Sequence, residues 1–175
     1  MLIYLPLISF ALFLAATHRF VTSERSLRNS FLIASLLWAV SITLSAELLS
    51  LSSSFTLAGL AFFWLIVIVV TLLSMFKFES NQASLIQETS KPWAIVDSTL
   101  IIGLVLIVTA TGVTAFVAPP NNWDSMTYHM SRVAHWVQNK SVEFYPTSMP
   151  RQLWASPWTE YAIAQLQILS QSDRL

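Results

Sequence analysis

The chain has 175 residues, of which 55% are hydrophobic and only 10% charged, and its mean hydropathy is +0.63. Soluble domains carry about 25% charged residues, so this composition excludes an ordinary water-soluble globule and reads as a polytopic membrane protein. The formal net charge is zero and cysteine is absent, which removes a basic footprint for nucleic acid and excludes disulfide and thiolate chemistry.

Four apolar runs follow one another, at 2–16, 31–49, 57–76 and 94–117. About 20 apolar residues cross the hydrocarbon core as a helix. The last three runs meet that length. The first is short, and residues 17–21 extend it if His18 and Arg19 snorkel. A signal peptide would carry its positive charge before the apolar core. Here Arg19, Arg25 and Arg28 come after it, so the run reads as a true span with its N-terminus outside.

Those arginines place the first loop on the cytoplasmic side. The loop at 50–56 has no Lys or Arg and lies outside, and Lys77 and Lys91 return the next loop inside. The fourth span then exits outward, so Asp124 and everything after it lie on the outer face. Two acids fall near span ends, Glu47 and Asp97. Intramembrane acids are often functional, but at these positions interfacial solvation explains them.

After Val117 the character changes. Pro119 and Pro120 end the helix. Residues 125–138 show helical spacing, with Met126, Met130, Val133 and Val137 on one stripe and Tyr128, His129, Arg132, His135 and Trp136 on the remaining surface. The pattern predicts an amphipathic helix in the interface plane. Residues 142–154 hold Pro146 and Pro150 and read as an ordered loop. A second helix starts at Ser156 and Pro157, with serine as N-cap. Its apolar face is Trp158, Tyr161, Ala162, Leu166 and Leu169, with Glu160, Gln167 and Gln171 on another. The expected architecture is all-α: a four-helix transmembrane region over 1–117, then an outer region over 118–175 with two juxtamembrane helices.

The outer region gathers residues suited to group transfer. Asp124 lies about seven residues past the hydrocarbon core, where a carboxylate can take a proton from an acceptor hydroxyl. His129, Arg132 and Arg151 can hold a phosphate by charge-assisted hydrogen bonds. Trp123, Tyr128 and Trp136 offer flat faces for a sugar ring. Each residue also has a plainer role. Asp124 precedes a helix, where aspartate is a favoured N-cap. His129 and His135 suit an interface as polar side chains, and Arg132 suits a solvated position. Asp124 and His129 are five apart, which suits no one-face pair on an α-helix, so no metal site is indicated. No cofactor is predicted. Asn139-Lys140-Ser141 fits the short N-glycosylation pattern.

The run Trp123-Asp124-Ser125-Met126-Thr127-Tyr128-His129-Met130, followed by Arg132-Val133, His135-Trp136, Gln138-Asn139, Tyr145-Pro146-Thr147 and Arg151-Gln152, resembles bacterial polytopic glycosyltransferases of the GT-C type. These are similar to dolichyl-phosphate-mannose protein mannosyltransferases and lipid A aminoarabinose transferases. The resemblance implies an essential acid in the first large outer loop, matched by Asp124, and two juxtamembrane helices after it. It implies a polyprenyl-phosphate-linked sugar donor, inversion at the sugar, and a lipid, glycan or protein acceptor. The expected setting is the bacterial inner membrane with the Asp124 loop outside. Two features depart from the family. Ser125 stands where many members have a second acid, and three spans precede the fourth where many have one. Such enzymes carry many more spans, so this chain looks like an N-terminal portion. The alternatives are a non-catalytic scaffold or lipid-binding subunit that contacts membrane lipids through its amphipathic helices, and a transporter fragment that uses Glu47 and Asp97.

Overall fold

The computed structural model describes residues 2–20, 27–77, 95–118 and 122–172. Arg25, Lys91, Pro119 and Pro120 lie outside the described residues, as does the side chain of Asp97. The elements are α1 (Tyr4–Phe20), α2 (Leu27–Ser50), α3 (Leu57–Lys77), α4 (Ile95–Val117), a π-turn (Ser125–His129), α5 (Met130–Asn139), α6 (Arg151–Trp154) and α7 (Trp158–Ser170). No strand occurs among the described residues. The described residues form an all-helical fold.

Among the described residues, three helices are long and apolar enough to cross a membrane: α2, α3 and the 98–115 stretch of α4. The expectation of four such spans meets a shorter α1 of 17 residues. At 1.5 Å per residue it reaches about 26 Å, against a hydrocarbon core of about 30 Å.

α1 packs antiparallel along α2. Trp38 Nε1 donates to the Pro6 carbonyl (2.9 Å), and Thr17 Oγ1 donates to the Ser30 carbonyl (3.1 Å). α2 buries small residues: Ser30, Ala34, Ser41, Ser45 and Ala46. Small side chains let helix backbones approach, which is how helices associate in lipid where burial from water drives nothing. Most of the serines and threonines satisfy their hydroxyls on carbonyls three or four residues back, as Ser41, Ser45 and Thr71 do.

α2 outruns α1 at its C-terminal end, and the segment after α4 fills the space left there. Leu2 N–H donates to the Leu169 carbonyl (2.8 Å), so the start of the chain meets the end of α7. Gln165 bridges α2 and α3: its Nε2 donates to the Ile42 carbonyl (2.9 Å) and its Oε1 accepts from Trp64 Nε1 (3.2 Å). The turn between α2 and α3 joins in. Val142 N–H donates to Ser50 Oγ, and Phe55 N–H to the Lys140 carbonyl. One core results. It runs from Leu5, Ile42, Leu60 and Trp64 into Val133, Trp136, Tyr161, Ile168 and Leu169.

α4 differs from all of these. None of its 98–115 stretch is buried inside the chain. A helix apolar on every side suits lipid or a protein interior.

The helices after α4 bury only part of the faces that the spacing predicted: Val133 on α5 and Tyr161 and Leu169 on α7 are buried as expected. On α5 the buried residues are Arg132, Val133 and Trp136, while Met126 is exposed. The predicted stripe assumes 3.6 residues per turn throughout. The π-turn, with its i→i+5 bonding, shifts the register between Met126 and Val133. α7 begins at Trp158 without a side-chain cap from the preceding residues. It buries Glu160, Tyr161, Ala164, Gln165, Ile168 and Leu169, and Leu166 is exposed. Between these helices the predicted ordered loop is present, with the short α6 inside it.

Candidate functional site

The helix that carries Asp124 is capped by another residue. Asn122 Oδ1 accepts the Ser125 N–H at 2.7 Å. That is the N-cap bond to an orphan donor of the first turn. Asp124 already has helical angles, φ −66° and ψ −44°, and makes no side-chain cap bond. Its carboxylate is exposed and enters neither ion pair of the described residues. Trp123 beside it is also exposed.

From Asp124 the chain enters the π-turn. Met130 N–H bonds back to the Ser125 carbonyl, five residues earlier. Ser131 Oγ repeats that step to the Met126 carbonyl (3.1 Å). The turn ends at His129. The Tyr128 and His129 rings lie 4.1 Å apart at a tilt of 42°.

His129 Nδ1 sits 2.8 Å from Glu160 Oε1 on α7. The same oxygen accepts from Arg132 NH1 at 3.0 Å. Glu160 is fully buried and Arg132 nearly so, while a third of the His129 side chain is exposed. Glu160 Oε2 is buried and has no hydrogen-bond partner. A carboxylate so placed depends on its cation, because an unpaired buried charge is costly.

Arg132 is committed to the fold. Beyond Glu160, its Nε donates to the Gln152 carbonyl, NH1 to the Ala155 carbonyl (3.0 Å) and NH2 to the Arg151 carbonyl (3.0 Å). Four of the five guanidinium donors are therefore placed on protein. Gln152 extends the network. Its Nε2 donates to the Thr127 carbonyl (2.9 Å), and its Oε1 accepts from Tyr145 OH (3.1 Å) and Thr147 Oγ1 (2.8 Å). Burial raises the Tyr145 phenol above its ordinary value, against the opposing charge of Arg132. The Tyr145 ring stacks on His135 at 4.1 Å. Trp136, expected as a sugar platform, is buried, with the Arg132 guanidinium over its ring (5.5 Å) and Tyr161 beside it (5.3 Å).

The arrangement separates the predicted site residues into two groups. Asp124, Trp123 and Arg151 present exposed side chains, and Tyr128 and His129 are half-buried with ring surface open. Arg132 is buried in the hydrogen-bond network instead. Glu160, Gln152 and Asn122 are the functional neighbours that spacing alone did not single out. For Asn122 a signal existed, since asparagine is as good an N-cap as aspartate. For Glu160 and Gln152 the partners are distant in sequence and no local pattern marks them.

Glu47 also finds a partner. Tyr161 OH donates to its carboxylate. Burial, then the bond and charge of Glu47, push the Tyr161 phenol far above its ordinary value. Beside this pair lies a cleft of about 680 Å³, lined by residues that include Glu47, Trp136, Phe144, Trp154 and Tyr161. Among the described residues no group of three or more His, Asp or Glu side chains converges to hold a metal ion.

No family model, curated protein or solved structure matches the chain.

Proposed function

We propose that this chain belongs to a membrane glycosyltransferase of the GT-C type, which moves a sugar from a polyprenyl-phosphate-linked donor to an acceptor on the outer face of a bacterial inner membrane. The observation that carries the reading is the free carboxylate of Asp124. It stands just past an apolar helix, at headgroup level in a membrane setting, and Asn122 has taken the capping role that would otherwise explain it. A carboxylate with no partner among the described residues at that position is available to a ligand.

In this reading Asp124 accepts the proton of the acceptor hydroxyl. Trp123 and Tyr128 supply ring faces, and the exposed Arg151 guanidinium and the open edge of His129 meet the donor phosphate. Arg132 serves by holding α5, α6 and α7 together around them. The test is sugar transfer from polyprenyl-phosphate donors in membrane vesicles. Asp124→Asn should lower the rate by about 10²–10⁴-fold, the range typical of a lost acid–base group, with expression unchanged. Transfer at the normal rate would sink the assignment.

One observation favours a second reading, a lipid-binding subunit without catalysis. Trp123, Met126, Phe144, Trp154 and Trp158 all expose apolar surface, as residues do where they enter a headgroup layer. There, Asp124→Asn is silent and replacement of Trp123 and Met126 by polar residues abolishes function.

A further inference from the structure

Asp124 and His129 are five residues apart. On an α-helix that separation turns them about 140° away from each other. The π-turn changes this. It begins at Asp124 as its cap residue and ends at His129, with Met130 N–H bonded to the Ser125 carbonyl. An i→i+4 bond stacks residues four apart on one face of an α-helix. By the same construction, an i→i+5 bond draws residues five apart toward one face. The wider turn therefore brings the Asp124 and His129 backbone positions toward one side.

Glu160 then decides which ring nitrogen of His129 is usable. It takes Nδ1, so Nδ1 carries the proton in the neutral ring and Nε2 is the nitrogen left open. Nε2 has no partner among the described residues, and a third of the side chain is exposed. The charged and titratable groups shown at the ring are Glu160 from α7, Arg132 from α5 on the same Glu160 oxygen, and Tyr128 on its own segment.

We propose that Asp124 and His129 form an acid–base pair aligned by the π-turn, with Glu160 as the positioning residue that presents His129 Nε2 to a phosphate. The proposal rests on the transferase reading and assigns its second proton. The acceptor oxygen attacks the anomeric carbon, and its proton passes to the Asp124 carboxylate. The bond from that carbon to the phosphate oxygen breaks, and the electron pair leaves with the oxygen. The imidazolium at His129 Nε2 donates its proton to the same oxygen. Each proton and electron pair is then placed, and no further reactant is needed.

Two measurements on the whole chain in detergent test this without requiring transfer. The first reads the shared face. Asp124→His places a second imidazole five residues before His129, at an exposed position with no structural partner. If both rings face one side they chelate Ni(II) together. The variant should bind Ni(II) about tenfold or more tightly than either the wild type or Asp124→His combined with His129→Gln, as expected when a second ligand is held nearby. Equal affinity in all three overturns the alignment.

The second reads the imidazole with polyprenyl monophosphate in micelles as the probe. An imidazolium donor contributes a charged hydrogen bond that disappears when the ring loses its proton. At one fixed pH, wild type should bind the probe about tenfold more tightly than His129→Gln. In Glu160→Gln, nitrogen chemical shifts of His129 should lose the Nδ1–H preference. Equal affinity in wild type and His129→Gln overturns the phosphate role, and an unchanged tautomer in Glu160→Gln overturns the positioning role. Positive results in both measurements with no transfer of any sugar would reject the transferase reading alone and keep the imidazole as a phosphate contact.

Discussion

α4 and the segment after it are neighbours in sequence and opposites in construction. α4 packs little against the other described residues: its 98–115 stretch is entirely unburied, and, its own helix backbone aside, none of them lies within 4 Å of a Cβ placed at Gly103 or Gly112. Its backbone bonds are all its own, which is what hydrocarbon requires. Residues 122–172 instead hang on a few polar side chains. Arg132, Gln152 and Glu160 each satisfy groups from more than one element. The two regions therefore fail differently. In α4 polarity decides and shape hardly matters. In the segment after it, single donors and acceptors decide.

The largest effect should come from Arg132→Ala. It leaves Glu160 buried without its cation and frees three carbonyls that the guanidinium now serves. Breaking one partner of a buried pair costs about 3–5 kcal/mol. Thermal unfolding in detergent should show the loss, and limited proteolysis should cut within 141–157 first. A folded, protease-resistant Arg132→Ala would remove the distinction between the two regions.

The next test is in α4. Leu106 is exposed, so Leu106→Ala removes no packing within the chain and should leave stability nearly unchanged. Leu106→Arg places a charge at mid-helix and should cost about 2.5–3.5 kcal/mol of membrane insertion. A glycosylation-mapping insertion assay compares the two. If Leu106→Ala proves as damaging as Leu106→Arg, α4 is packed against protein and its contrast with the following segment disappears.

A smaller effect belongs to Tyr161. Its phenol is raised by burial first and by Glu47 next, so the folded state keeps the proton at a pH where the unfolded chain has lost it. Above the ordinary tyrosine value of 10.0, the unfolded state binds fewer protons, and stability falls as pH rises. Tyr161→Phe should flatten that alkaline decline while costing about 1 kcal/mol at neutral pH for the lost hydrogen bond. Denaturation midpoints measured at neutral and alkaline pH separate the two terms. An unaltered alkaline slope would mean that Tyr161 is not the group responsible.

The same contrast explains what could be read from the sequence. The long apolar helices were legible, because hydropathy summed over about 20 residues reports the cost of placing polar groups in lipid. Their ends fall within a few residues of the apolar runs, as with α3 (Leu57–Lys77) against 57–76. Beyond α4, helical spacing located the helices and part of their buried faces, Val133, Tyr161 and Leu169, but not Met126 or Leu166. A periodicity of 3.6 has no means of showing a π-turn, so Met126 was aligned with Val133 when the turn separates them. Arg132 reads as a surface cation because its partners lie 19 to 28 positions away. Much of the residue pattern after Asp124 (Arg132, Tyr145, Thr147, Gln152) forms one hydrogen-bond network. Those positions carry a shape, and the spacing between them records how the loop closes on α5.

Asp124 gives the smallest structural effect and for that reason the sharpest test. Its side chain is exposed, caps nothing and pairs with no cation among the described residues. Asp124→Asn should therefore leave the melting temperature where it is, whereas Asn122→Ala, which removes the real cap, should lower stability by about 1 kcal/mol. The two residues stand two positions apart on the same turn, so the pair controls for local disturbance. If the Asn122 variant loses stability and keeps activity while the Asp124 variant does the reverse, structure and chemistry divide between these two neighbours. If Asp124→Asn melts the protein instead, its carboxylate belongs to the scaffold with Arg132 and Glu160, and the proposal that it accepts a proton fails.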